Sequence, residues 1–580
     1  LEDSQATGII DADPLLTGYG HLRAGSPCVN MGDPVPRYSG YDIDGESRVF
    51  YRRIDMGADE FSDADHDGLP DGYEREYFDP NGIAAEPGDD PDGDGHTNIE
   101  EYEWYASDPT VACMTYYVDS MQPDNSNDGL SWETAKKTIA AAIAETDDSD
   151  IVMIAPGYYE KGILPEGRQI VVRGREPKDA LSVAATIVRG TTYFGRGEMQ
   201  GCTVRGLTLS NLNESAVICR ASAPTIRDCV LLATRTYTYQ TGGGITCVGA
   251  SPLVTNCIIN GNVGYYNGGA VYATSSGLVM RHCVMAGNIG RYSGDPGSAI
   301  YLTDSALKME QCTVTDSHSP DGYSYGSAIY CQRSDLKVLN SIVWNEMDVQ
   351  ISADADSTVA VSYSDIKGGA ESIESVNGWT GMANIVADPC FVGPGRWTRP
   401  PSYSDAYWMD GDYHLRTAGW RWTPYTSHGS NWVWDGVTSI CIDAGNPGTP
   451  LGEEATSVVH DPEMLWGENR RVNMGAYGGT IEASMGPCGW GLSGDVNNDG
   501  MVDVADISKC IDSPPDYLDD HPGDLDRDGV LGPADLGLFL QDWFKQTGWY
   551  GMVTPFEGVA TGLPPEGGTG GGGTGGGVSR

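Results

Sequence analysis

The sequence predicts an all-β dominated solenoid carrying small acidic loop domains, and three observations lead to that expectation. The chain resembles itself between about 200 and 346 with a period of 26–29 residues, a length that marks stacked structural repeats. Gly accounts for 78 of 580 residues and hydrophobic residues for only 39%, which suits a turn-rich β protein better than a helical one. Acidic residues number 82 against 35 Lys and Arg, a formal net charge of −47, and they concentrate in two segments with a regular rhythm.

The repeat aligns Ile218-Cys219 with Cys229, Thr246-Cys247 with Cys257, Tyr272-Ala273 with Cys283, Tyr301-Leu302 with Cys312, and Tyr330-Cys331 with Ser341. In every copy the later marked residue follows ten positions after the second of the pair. A short turn and an alternating strand fill the interval, as in 252–257 and 306–312. Three short strands per coil, stacked like on like, describe a right-handed parallel β-helix. Cys229, Cys257, Cys283 and Cys312 then form an inward ladder at about 4.8 Å spacing. Ala273 and Ser341 at ladder positions favour packed thiols over disulfides, since buried Cys behaves as a small hydrophobe. A loop precedes each Gly-rich strand and carries Tyr237 and Tyr239, Tyr265 and Tyr266, Tyr292, or Tyr323 and Tyr325. In register these form a tyrosine strip, for sugar rings or another protein, or packed on itself.

Upstream, Tyr116-Tyr117-Val118-Asp119, the run 128–135, Thr138–Ile143 and 151–159 read as strand, helix, strand. An amphipathic helix at about 134–145 is expected to cover the open N-terminal edge of the solenoid. This series resembles the opening of extracellular bacterial right-handed β-helix proteins.

The acidic segments have a metal-ligand spacing. Asp63, Asp65, Asp67, Asp71 and Glu74 take loop positions 1, 3, 5, 9 and 12 with Gly68 at 6, and Asp90, Asp92, Asp94, Asn98 and Glu101 repeat the pattern around Gly95. Near the C-terminus Asp495, Asn497, Asp499, Asp503 and Asp506 form a third loop around Gly500. Asp524, Asp526, Asp528 and Asp535 form a fourth around Gly529. Calcium takes six to eight oxygens at about 2.3–2.6 Å, and this spacing wraps a short loop around one ion. The fold class is therefore a right-handed parallel β-helix solenoid with small calcium-binding, EF-hand-like loop domains, holding about four Ca2+. Residues 63–101 carry a net −13 and 495–535 a net −10, so both segments are expected to be disordered without metal. The later pair, each loop running into one apolar-patterned helix, resembles a type I dockerin. The earlier pair resembles thrombospondin type 3 calcium repeats. In dockerins a Ser-Thr pair recognises cohesin; Val504-Ala505 and Pro533-Ala534 stand there instead, which leaves a cohesin-like partner open.

One terminal module appears twice. Asp388-Pro389-Cys390-Phe391, Asp412-Tyr413-His414-Leu415, Cys441 to Pro447 and Asn473-Met474-Gly475-Ala476 form a series that returns as Asp13-Pro14, His21-Leu22, Cys28 to Pro34 and Met56-Gly57-Ala58. It resembles the choice-of-anchor Q module that closes bacterial β-helices. Residues 1–61 thus read as an orphan cap, either folded on its own chain or docked on a neighbouring subunit in a head-to-tail contact that propagates as a fibre. The second copy inserts Trp420, Trp422, Trp432 and Trp434, on one strand face, as a cover for the last coil or a sugar platform. The expected organisation is 1–61 orphan cap, 62–112 calcium segment, 113–385 β-helix, 386–487 cap, 488–548 dockerin-like domain and 549–580 Gly-rich tail.

The charge excludes nucleic acid as a partner, because a phosphate binder needs a Lys/Arg surface, and anionic lipid likewise. No stretch approaches the roughly 18 apolar residues of a membrane span. The start, Leu1-Glu2-Asp3-Ser4, reads as a processed product. No CxxCH motif for haem attachment occurs. Gly-His-Gly and Arg-Ile-Lys runs of pectin hydrolases are absent. Arg173, Arg175 and Arg189 share no register with Asp304, Asp316 and Asp335, so no acid–base pair stands out and no catalytic residue is assigned. The sequence points to an extracellular, calcium-stabilised structural or adhesive protein of the cell surface that self-associates into a layer or filament. The alternative is a secreted β-helix that binds or degrades polysaccharide.

Overall fold

The computed structural model describes residues 113–558 apart from 233, 235–241, 265–267, 291–296, 318–325, 400–405, 424–431, 453, 455–466, 468, 513–520, 526 and 528–530, together with 69, 86–91 and 97–100. The orphan cap 1–61, the loop residues Asp63, Asp65, Asp67, Asp71 and Glu74, Asp92, Asp94, Glu101, Asp526, Asp528 and the seven loop tyrosines lie outside the described residues.

The alternating runs fold into three parallel sheets of ten, nine and eight strands. The first runs from Thr115–Val118 to Thr358–Ser362, the second from Gly157–Tyr159 to Asp365–Ile366, the third from Thr192–Phe194 to Ile373–Ser375. Each strand pairs with the strand one coil away, for example Ile226 with Val254, Leu231 with Ile259, and Cys247 with Ala273. Strand alternation sends every second side chain inward, and the inward rows are fully covered: Val204, Ile226, Val254, Met280 and Met309; Leu209, Leu231, Ile259, Met285 and Val314; Cys219, Cys247, Ala273 and Leu302. The chain is a right-handed parallel β-helix.

Single left-handed residues turn the corner between the first and second sheets: Asp228, Asn256, His282, Gln311, Asn340 and Tyr363, all with φ between 47° and 52°. The next residue points inward and ties the corner down. The Sγ of Cys229, Cys257, Cys283 and Cys312 donates to the carbonyl two residues back at 3.1–3.3 Å. Ser341 and Ser364 do the same at 2.8 Å. The cysteines of this ladder are free thiols. The opposite corner is sewn by serine, Ser276 N to Ser305 Oγ and Ser305 N to Ser334 Oγ, both 3.1 Å. The third corner carries asparagine, with Asn262 Nδ2 donating to Leu231 O at 3.0 Å and Asn288 Nδ2 to Ile259 O at 2.6 Å. On the outside of the third sheet Tyr272, Tyr301 and Tyr330 stack with centroids 5.8 and 5.1 Å apart.

The N-terminal helix spans only Ile139–Ile143, capped by Thr138 and burying Ile139, Ala142 and Ile143. It is shorter than the pattern at 134–145 suggests because Lys136 exchanges backbone hydrogen bonds with Tyr117 and Asp119 (2.8 and 2.9 Å). At the other end Phe556–Gly558, expected to lie within the tail 549–580, pairs antiparallel with Gly381–Asn384. The gain is apolar: Phe556 meets Trp379 edge to face at 5.8 Å.

Candidate functional site: a groove on the second sheet

The outward row of the second sheet is mostly apolar: Ile187, Thr208, Val230, Ile258, Val284, Thr313 and Ile342 follow one another in register. Past Val284 this row is covered, because the chain returns after the last coil and lies on it. Phe391–Gly393 pairs with Asp412–Leu415 and Arg396–Trp397 with Trp408–Met409. Trp397 Nε1 donates to Gly287 O at 3.1 Å, and the amide of Ala476 to Thr313 Oγ1 at 3.0 Å. Gly261 and Gly287, both at φ 64°, leave room for Trp408, which a Cβ at either position would strike.

Where the cover stops, an open groove of about 390 Å³ remains. Ile187, Val230, Ile258 and Val284 form its floor, Arg189 and Ser210 the open end, and Asn260, Asp410, Tyr413 and Tyr477 the covered end. Asn260 is buried and donates to Asp410 Oδ1 at 3.1 Å, while its Oδ1 accepts the Ala286 amide at 2.8 Å. Loss of water raises the pKa of the Asp410 carboxyl where it enters the groove. Tyr413 donates to Asp316 Oδ2 at 2.7 Å and accepts from the Gly395 amide at 3.0 Å. Burial, reinforced by Asp316, drives its pKa up, so the phenol stays a neutral donor. At the open end the Arg189 guanidinium lies 5.4 Å over the Tyr158 ring.

Behind Tyr477 the wall is braced by His414. Its ring stacks on Tyr477 at 3.7 Å, and its Nδ1 and Nε2 meet Asp412 Oδ1 at 2.7 Å and Glu482 Oε2 at 3.2 Å. Burial alone would lower the imidazole pKa, but the two carboxylates outweigh it and raise it. Among the described lining residues Asp410 is the one carboxylate. Of the arginines and aspartates named in the sequence, Arg189 lines this groove, and Asp316 meets it only through the Tyr413 hydroxyl. Asp304 pairs with Arg333 at 2.6 Å, and Asp335 accepts from Thr358 at 2.5 Å. Asn260, Asp410 and Tyr413 carried no sequence signal as a set: the first is separated from the second by 150 residues.

The loop 495–506 is well organised. The position-12 carboxylate of Asp506 accepts the amides of Asn497 (3.0 Å) and Asp503 (2.8 Å). Asp535 does likewise with Leu525 (2.8 Å) and Gly532 (2.7 Å). Each sits in the first turn of its helix, Val504–Asp512 or Pro533–Gln541, and reaches back to cap the N-terminus. Asp495 is fully buried; its Oδ2 accepts the Gly500 amide at 3.1 Å, and its Oδ1 has no hydrogen-bond partner. Burial, with the Asp506 and Asp499 charges adding to it, lifts the Asp495 pKa, and burial brings Asp506 to about 6. Among the described residues no three His, Cys, Asp or Glu side chains already converge as a metal cluster. The donor set of this loop is mixed, with Asn497 Oδ1 and backbone oxygen beside the carboxylates, and the orphaned Asp495 oxygen fits a hard cation. In the earlier pair Asn98 Nδ2 donates to Glu86 O at 2.9 Å. Asp90 is described; its loop partners Asp92, Asp94 and Glu101 are not.

A family model described as right handed beta helix region matches residues 193–366. Solved structures similar to the chain include a pectate lyase at 13% identity, covering 62% of this chain and 95% of that one, with a TM-score of 0.29. A rhamnogalacturonan lyase follows at 12%, 55%, 83% and 0.29, and a pectin methylesterase from Erwinia chrysanthemi at 11%, 51%, 85% and 0.21. No curated protein matches the sequence. No described helix is long and apolar enough to cross a membrane.

Proposed function

We propose that this chain is a secreted, calcium-stabilised β-helix protein that binds a glycan in the groove on its second sheet. One observation carries the reading: the groove couples an apolar floor to hydrogen-bonding groups at both ends, Arg189 at one and Asn260, Asp410 and Tyr413 at the other. Pyranose rings present that combination, with C–H faces and hydroxyl rims, and concave sites with few convergent polar groups are where ligands bind. The surfaces expected to build a cell-surface layer or filament, residues 1–61 and the loop tyrosines, lie outside the described residues, whereas the groove lies within them.

Calcium belongs to the proposal as a structural ion. Asp495, Asn497, Asp499 and Asp506, with Asp503 at position 9, would hold one ion in the loop whose Asp495 oxygen lacks a partner. Bound there, calcium supplies charge neutralisation and a fixed loop conformation.

A polysaccharide array probed with the full chain, followed by titration of the best polymer, tests the reading. Arg189→Ala and Asp410→Ala should each weaken binding at least tenfold with an unchanged circular dichroism spectrum. Binding that ignores both substitutions, or no binding to any polymer, overturns it; release of reducing ends would move the chain to the enzymes.

A further inference from the structure

The loop 495–506 faces two ways. Its Asp495, Asn497 and Asp499 side chains turn inward, with Asn497 Oδ1 accepting the Asp499 amide at 2.8 Å. Its remaining groups reach outward to two other parts of the chain. Asn498, fully buried at loop position 4 with φ 58°, donates from one amide to both Ala383 O (2.8 Å) and Ala444 O (2.9 Å). Ala383 belongs to Gly381–Asn384, the strand that closes the last coil, and Ala444 to the returning cap. The Val496 carbonyl accepts the Tyr363 hydroxyl at 2.9 Å, from a corner of the solenoid. The Asp495 carbonyl accepts Arg471 Nη1 at 2.7 Å, and the same buried guanidinium holds Gly445 O at 2.9 Å through Nε and Ala444 O at 3.3 Å through Nη2.

We propose that cation binding in this loop latches the cap onto the end of the β-helix. The inference rests on the calcium reading above. The loop conformation in which the Asp495, Asn497 and Asp499 side chains would hold an ion is the conformation that aims Asn498 and the carbonyls of 495 and 496 outward. Without the ion, buried Asp495 carries an oxygen with no partner, a cost that loosening of the loop relieves. That loosening withdraws the bonds on coil and cap together. The same cap supplies Asp410 and Tyr413 to the groove, so the latch also steadies the groove wall.

Hydrogen exchange on the full chain, with calcium alone and then with chelator, tests this. Chelation should lower protection at 381–385, 441–446 and 470–474 at least tenfold and leave the coils 203–232 unchanged. Asn498→Gly keeps the left-handed backbone accessible and removes the amide; it should still bind calcium, yet calcium should no longer change protection at 381–385. Calorimetry separates the two claims. If Asp495→Asn loses about one bound ion while chelation leaves wild-type protection at those segments unaltered, the latch is wrong and the calcium reading stands. If Asp495→Asn loses no ion, both fall.

Discussion

Cys441 Sγ lies 3.2 Å from Asp365 Oδ2, with both side chains buried. The contact joins the last strand of the second sheet, Asp365–Ile366, to the cap, and the other carboxyl oxygen accepts the Ala387 amide at 3.0 Å. Burial pushes the Asp365 pKa to about 8, beyond what the amide and thiol bonds pull back. The folded chain therefore binds a proton that the unfolded chain releases near pH 4. Stability should fall as pH rises from about 4 to 8 and level off on either side. Asp365→Asn should remove this group's share of that slope and be the more stable form at pH 8, read from denaturant midpoints across pH 4–9.

The His414 brace has a linked dependence of its own. Its imidazole is raised above the ordinary value, so its contribution is complete below about pH 6.5 and lost as pH rises through the folded value. His414→Gln should remove this component, and in the wild type the protection factors at 480–485, taken relative to the intrinsic exchange rate at each pH, should fall at alkaline pH.

The corner ladder accepts a hydroxyl where it holds a thiol, since Ser341 and Ser364 make the bond that Cys283 makes. Cys283→Ser should cost about 1 kcal/mol or less. Cys283→Leu overfills a close-packed row and should cost about 1–3 kcal/mol. Equilibrium unfolding measures both, and a thiol assay of the unfolded chain should give the same count at these ladder positions with or without reductant.

Asn262 satisfies four groups at once. It donates to Leu231 O and Asn288 Oδ1 at 3.0 and 3.1 Å and accepts the amide and hydroxyl of Thr234 at 3.2 and 2.8 Å. Asn262→Ala leaves buried backbone groups unpaired and should cost about 3 kcal/mol, seen as a lowered midpoint with an unchanged slope.

Much of the solenoid was legible in the residues. The ten-residue offset from Cys219 to Cys229 and its repeats marks strand and corner because stacking places like on like. The serine and asparagine corners leave no such mark, since Ser276 or Asn262 alone looks like any turn residue until its partner one coil away is known. The groove was illegible for the same reason: Asn260 and Asp410 are joined only when the returning chain lies on the second sheet.

Local pattern by itself determined the coil, its inward rows and the rhythm of the acidic loops, because each is encoded within some thirty residues. The tertiary structure decided which outward row is covered, which stretch stays open as a groove, and that loop 495–506 grips both coil and cap. Those outcomes depend on where the chain returns after Asn384, and that path follows from the combined fit of Trp408 over Gly261 and Gly287 and of Tyr363 to Val496. Contacts between residues a hundred or more positions apart leave no periodic trace in the sequence, because each is a single meeting of surfaces and is not repeated along the chain.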